Sequence, residues 1–196
     1  MANWCYSSYC IEGDNEEVRS LYRRMKRLQD RRKSLVENDF GKMWLGNLVT
    51  DLGSDWKEVY CRGTWSDLGY EKGILRFNTE TAYSPMNAVM KLAKSKYPSL
   101  RIYYSAEEDG WGVYVTNDAE GKHYPDRYFV ESEWGREYFS TMTNVCVYVS
   151  GLIKKEVRDE KELRAAIEEW NENVEDIDEN ITLNEFKVEK DEYLRV

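Results

Sequence analysis

Apolar residues in this chain recur with two different periods, and the order in which those periods alternate limits the fold more than any other feature. Asn3 to Glu12, rich in Trp, Tyr, Cys and Ile, reads as a strand. Gly13-Asp14 breaks it, Asp14 supplies an N-cap, and Glu17 completes a capping box. Val18, Leu21, Tyr22, Met25 and Leu28 then follow at helical spacing. Met43 to Leu52 predicts a short helix stopped by Gly53. Val59 to Ser66 alternates, and Ile74 to Thr81 follows a turn containing Leu68-Gly69-Tyr70, so the two runs predict a β-hairpin. Ser84-Pro85 is a helix start, a hydroxyl cap followed by proline at the first helical position, and Val89, Met90, Leu92 and Ala93 give that helix its buried stripe. Arg101 to Ala106, Trp111 to Asn117 and Lys122 to Val130 read as further strands, with turns at Glu107 to Gly110 and Asp118 to Gly121.

Strand, helix, strand, strand, helix, strand is the split βαβ order. The expected class is therefore α+β: a ferredoxin-like sandwich over residues 1–130 with an added hairpin at its edge. Residues 131–196 are expected to form a C-terminal α/β extension or small subdomain with an acidic end. Val145 to Val149 is a β-prone run within it. Asp159 and Glu162 make a second capping box ahead of Leu163, Ala166, Ile167, Trp170 and Val174, and Phe186 to Val188 predicts a last strand. With 196 residues, 15 Tyr and 7 Trp, the chain is long enough and aromatic enough to bury a substantial core.

Charge is distributed unevenly. The formal net charge is −9, and residues 155–196 hold 15 acids against 7 bases, which accounts for −8 of it. Near the start the sign reverses: Arg19, Arg23, Arg24, Lys26, Arg27, Arg31, Arg32 and Lys33 face a single acid, Asp30. The acidic balance argues against bulk affinity for nucleic acid or anionic membranes, while leaving room for a local basic site. Cys5, Cys10, Cys61 and Cys146 lack the spacing of a zinc or dithiol site and read as reduced core thiols. With no basic-then-apolar leader and no run of about 18 apolar residues, the expected setting is the cytoplasm, with no membrane partner.

Four segments together carry a family resemblance. They are Met1-Ala2-Asn3-Trp4-Cys5 with the strand and Gly13-Asp14 that follow; Gly63-Thr64-Trp65-Ser66-Asp67; Phe77-x-Thr79 through Ser84-Pro85; and Tyr97-Pro98-x-Leu100 with Tyr104-x-x-Glu107-Glu108-x-Gly110. Over about residues 1–130 the chain resembles the YubB-type ferredoxin-like family of phage- and plasmid-associated proteins of unknown function. The resemblance implies a fold and a mobile-element setting, and no reaction. The chain departs from the pattern at Tyr83, where Trp is usual, at the lone Pro85, and in the segment from Lys42 to Gly53.

Catalytic chemistry finds little footing. His123 is the only histidine, so multi-histidine metal sites are excluded. Glu107, Glu108 and Asp109 cluster before Gly110 and read as a solvated turn; no phosphate-cradling glycine motif occurs. No cofactor and no metal are expected. Two surfaces remain as binding candidates. Strand alternation places Tyr60, Arg62, Arg76, Arg101, Tyr103 and Tyr114 on the sheet face away from the helices, where Tyr and Arg can stack bases. The helix face bearing Arg19, Arg23, Arg24, Lys26, Arg27 and Arg31 can contact phosphates, or the acidic C-terminal segment. The expected function is a non-enzymatic interaction module of mobile-element origin that binds a host or phage protein. The alternatives are a single-stranded nucleic-acid binder using the sheet face, or an acidic DNA mimic using the C-terminal acids.

Overall fold

A computed structural model describes residues 3–190 and 194. The fold is mixed α+β and divides into two compact units, one made of the chain up to Ala119 with the return from Val188, the other of Glu120–Lys187.

The first unit opens with strand β1 (Trp4–Glu12) and helix α1 (Asn15–Asp30), followed by α2 (Leu45–Asp51), β2 (Gly63–Glu71), β3 (Ile74–Ala82), α3 (Asn87–Lys96), β4 (Arg101–Glu108) and β5 (Val113–Thr116). The strands lie in the order β2-β3-β1-β4-β5, and the two residues Lys187–Val188 take a sixth place beside β5. Each pairing from β2 to β5 is antiparallel. Strand β1 is central because it buries every second side chain: Cys5, Ser7, Tyr9 and Ile11 face one core with Leu75, Phe77, Ile102 and Tyr104. Tyr9 stacks on Phe77 with centroids 5.2 Å apart and leans on Tyr104 at 5.8 Å. Val18, Leu21, Met25 and Leu28 of α1 close that core from above.

Local chemistry departs from the expected signals at three places. Asp14 caps α1 by accepting from the amides of Glu16 and Glu17 at 3.0 and 3.2 Å. Glu17 does not return the bond; its carboxylate accepts from the amide and hydroxyl of Ser99 at 2.9 and 2.7 Å, and the Ser99 hydroxyl accepts the Asp14 amide at 2.9 Å. The capping box is thus completed through a residue on the far side of α3. The turn of the β2–β3 hairpin is at Lys72-Gly73, both left-handed (φ 51° and 81°), and not at Leu68-Gly69-Tyr70. Residues 66–69 form a bulge in which left-handed Asp67 accepts from Ser66 and Asn78 at 2.9 and 3.0 Å. Helix α3 begins at Asn87 rather than Pro85, and the Ser84 carbonyl accepts the Thr81 hydroxyl at 2.8 Å.

The second unit contains β6 (Tyr128–Ser132), β7 (Gly135–Phe139), α4 (Met142–Ile153), α5 (Glu160–Asn173), a short 3-10 turn (Ile177–Glu179) and β8 (Thr182–Glu185), with antiparallel sheet order β7-β6-β8. The two residues Lys187–Val188 are β9. A division after residue 130 would cut β6, which pairs with both β7 and β8; the observed division falls after Ala119. The β-prone run Val145 to Val149 is helical. Thr141 caps α4 by accepting the Asn144 amide at 3.3 Å, and Val145, Cys146 and Val149 are buried while Val147 is 70% exposed. A strand would have buried Val145, Val147 and Val149 together, so the burial follows the helical period. No helix among the described residues is long and apolar enough to cross a membrane.

Candidate functional site

Helices cover one face of the six-stranded sheet, and the register fixes what stands on the other. One cross-strand row reads Thr64, Glu80, Tyr6, Glu107, Tyr114; the next Ser66, Asn78, Ser8, Ser105, Thr116; then Arg76, Cys10, Tyr103; and last Glu12, Arg101. Arg76, Arg101, Tyr103 and Tyr114 therefore share this outer face, as alternation predicts. Tyr60 and Arg62 lie in the segment leading into β2, where the Arg62 carbonyl accepts the Ala82 amide at 3.0 Å. The face is open at Trp4, Tyr6, Arg76, Glu80 and Arg101 and closed at Cys10 and Thr116. Sequence reasoning missed Trp4 and Tyr6, although β1 alternates as clearly as β3.

At one end of the face the side chains are aromatic and acidic. Tyr6 is 60% exposed and stands directly between Glu80 and Glu107. Trp111, 72% exposed, stacks on Tyr83 with centroids 5.6 Å apart and planes 24° apart. Both rings are set by backbone. Tyr83 is left-handed (φ 67°), and its amide donates to the Asn3 carbonyl at 2.9 Å. Glu108, only 1% exposed, accepts from the amides of Gly110 and Trp111 at 2.7 and 2.9 Å. The middle acid of Glu107-Glu108-Asp109 is thus a buried clamp on the turn. Asp109 accepts the Tyr114 hydroxyl at 3.0 Å.

At the other end lies a cleft of about 590 Å³ lined by Glu12, Arg19, Tyr70, Lys72 and Arg101. Arg101 pairs with Glu12 at 3.3 Å. Arg19 lies 5.9 Å over the Tyr70 ring and 3.7 Å from Glu16, and the Tyr70 hydroxyl donates to Asn15. Arg19 of the basic helix and Arg101 of the sheet face thus meet in one place.

The rest of the basic helix is largely paired within its own unit. Arg24 and Arg27 each reach Asp51, at 2.8 and 2.7 Å, and Arg24 also donates to the Tyr97 hydroxyl at 2.7 Å. The Asp51 hydrogen bond raises the Arg24 pKa against the opposing effect of burial. Lys26 pairs with Asp30 at 2.7 Å, and Arg31 donates to the Lys33 carbonyl at 3.2 Å. Arg23 is exposed with no ion pair among the described residues. The acid that answers this helix is at the end of α2, and no spacing in the sequence marks it.

All four cysteines are free and buried. Burial pushes the Cys61 thiol up to about 11 and raises Cys5 and Cys146 as well. Among the described residues no cluster of His, Cys, Asp and Glu could hold a metal ion. Comparison with protein-family models, with curated proteins and with solved structures finds no match to this chain.

Proposed function

We propose that the chain is a non-enzymatic interaction module whose partner is a protein. The supporting observation is Trp111: a large aromatic left in solvent, stacked on Tyr83, and fixed at its backbone by the buried Glu108 carboxylate. A rigid exposed aromatic loses little freedom on binding, and Trp and Tyr are the side chains that dominate protein–protein hot spots. Two buried carboxylates beside the face are taken up structurally, since Glu108 serves two amides and Glu12 holds Arg101, which supports a non-catalytic reading. The strand order β2-β3-β1-β4 with α1 and α3 as crossovers supports the ferredoxin-like assignment of the first unit. The YubB-type resemblance of about residues 1–130 supports a mobile-element setting, with a host or phage protein as the target.

The test is site-specific photo-cross-linking in the cells that make the protein, with a benzophenone side chain in place of Trp111 and, as control, in place of Val147. A discrete protein adduct at 111 that survives nuclease and is absent at 147 is the expected result. Adducts lost on nuclease treatment would reject it. The cleft favours a second reading, a single-stranded nucleic-acid binder, because Arg19, Lys72 and Arg101 converge there beside Tyr70. That reading requires oligonucleotide binding that weakens with salt and falls on Arg101→Ala.

A further inference from the structure

The cleft at the other end of the sheet face gathers cations from three separate elements. Arg19 comes from α1, Lys72 from the turn between β2 and β3, and Arg101 from the start of β4, and all three line one concavity of about 590 Å³. Small-molecule sites typically enclose about 300–1,000 Å³. Glu12 is the one acid in the lining and is mostly buried. Three positive charges and one negative leave the lining at +2, in a chain whose net charge is −9.

The ion pairs of these cations are long. Arg101 meets Glu12 at 3.3 Å, Lys72 meets Glu71 at 3.4 Å, and Arg19 meets Glu16 at 3.7 Å. On the same helix Arg24, Lys26 and Arg27 hold their carboxylates at 2.8, 2.7 and 2.7 Å, the usual length of a charge-assisted bond. Arg19 is placed by rings instead. Its guanidinium lies 5.9 Å from the Tyr70 centroid, Tyr70 stacks on Tyr22 at 5.3 Å, and the Tyr70 hydroxyl donates to Asn15. A guanidinium has five N–H donors, and the one hydrogen bond Arg101 makes among the described residues is to Glu12. The amides of Glu16 and Glu17 at the start of α1 are taken by Asp14, so the cations and not the helix end make this site.

We propose that the cleft binds a phosphate monoester, with Arg19, Lys72 and Arg101 donating to its three terminal oxygens. A monoester carries close to two negative charges and three terminal oxygens, which match the charge of the lining and the number of cations; a backbone diester carries one charge and two such oxygens. The exposed pairs with Glu16 and Glu71 are exchanged for phosphate at small cost, while the mostly buried Glu12 keeps Arg101 in place. The proposal is independent of the protein-interaction reading, which concerns the aromatic end. It differs from the strand-binding reading in requiring a terminal phosphate.

The test is calorimetric titration of the full chain at low salt. The probes are inorganic phosphate, thymidine 5′-monophosphate, thymidine, and thymidine tetranucleotides with and without a 5′-phosphate. Phosphate and the monophosphate should bind and compete, thymidine should not bind, and the 5′-phosphate should strengthen tetranucleotide binding about tenfold or more. Arg19→Gln and Arg101→Gln should each weaken the monophosphate about tenfold. Arg23→Gln, the same charge change at an exposed position of the same helix, should weaken it at most about twofold. Thermal unfolding shows that each variant is folded. Lys72→Gln, at a side chain 86% exposed, should also weaken binding and serves if Arg101→Gln does not fold. A phosphorylated tetranucleotide that binds more tightly than the monophosphate assigns the phosphate to a strand end; otherwise the source is a free ester. Losses no larger than that of Arg23→Gln would overturn the proposal, as would no binding of phosphate or the monophosphate up to about 10 mM. Equal affinity of the two tetranucleotides would overturn it too, and would leave the strand-binding reading standing.

Discussion

The two ends of the outer sheet face come from the same strands and the same alternation, yet they hold their polar groups in opposite ways. At the cleft end each cation has a counter-charge in reach: Arg101 has Glu12, Arg19 has Glu16, and Lys72 lies 3.4 Å from Glu71. At the aromatic end the positioning is done by backbone, through the Glu108 clamp and the left-handed Tyr83, and the rings are left in solvent. Ion pairs on an exposed surface are worth little and are exchanged readily, while a ring whose backbone is fixed from beneath loses little freedom on binding. Exposure alone does not distinguish the two ends; what lies beneath the exposed groups does.

The largest expected effect tests that clamp. Glu108→Ala removes a buried carboxylate from two amide donors and should cost about 2–4 kcal/mol, read by urea unfolding. Glu108→Gln keeps one acceptor oxygen and should lose about half as much. The corresponding change at the cleft end, Arg101→Ala, removes a cation that is itself half in solvent from the mostly buried Glu12 and should cost about 1 kcal/mol. If the two losses are equal, the contrast between the ends is wrong.

The next effect concerns how basic the cleft end can become. Asp51 is mostly shielded and takes both Arg24 and Arg27. Asp51→Ala should destabilise by about 1–2 kcal/mol, a value already reduced for the exposure of the two arginines. It should also release two cations on the helix that carries Arg19. Oligonucleotide affinity at low salt should rise in this variant if the cleft end is the seat of any nucleic-acid binding, and stay unchanged if it is not.

This pair also shows how much the sequence could disclose. Strands β1, β3 and β4 and helix α1 were legible because their burial follows local period, whereas β2 runs on through the expected turn by way of a bulge. Arg76, Arg101, Tyr103 and Tyr114 could be placed on one face for the same reason. Asp51 could not be found, because its separation of 24 positions from Arg27 encodes no spacing rule, only a tertiary meeting. Trp111 could not be singled out either, since a loop side chain obeys no period and its support is a buried acid that reads as surface. Val145 to Val149 misled because β-branched residues favour strands by propensity, and packing against the core of the second unit decided the outcome.

A smaller effect follows from Cys61, beside Tyr60 and Arg62. Its thiol is raised from 9.0 to about 11 by burial, so the folded state holds its proton where the unfolded chain has lost it. The unfolded state binds fewer protons in that window, and stability therefore falls as pH rises from 9 to about 11, by on the order of 1 kcal/mol. Cys5 and Cys146 act in the same direction. Cys61→Ala should flatten this part of the curve relative to the unaltered protein, measured by urea unfolding across the alkaline range. If the slope is unchanged, the lead-in to β2 is open enough for the thiolate to be solvated, and Tyr60 and Arg62 stand on a less fixed segment than the aromatic end requires.

The smallest effect on stability belongs to the residue with the largest expected effect on binding. Trp111→Ala removes a ring that is mostly in solvent and stacks on Tyr83, so unfolding should shift by less than about 1 kcal/mol. The Glu108 carboxylate bonds the amide of residue 111, which the substitution keeps, so the turn should stay closed. Binding of the protein partner should nevertheless weaken, because the exposed ring is gone while the charges are untouched. Arg101→Ala, with a similarly small effect on stability, should leave that binding unchanged. A stability loss with Trp111→Ala as large as that with Glu108→Ala would mean the indole is part of the fold, and the aromatic end would then lose its claim to be a surface prepared for a partner.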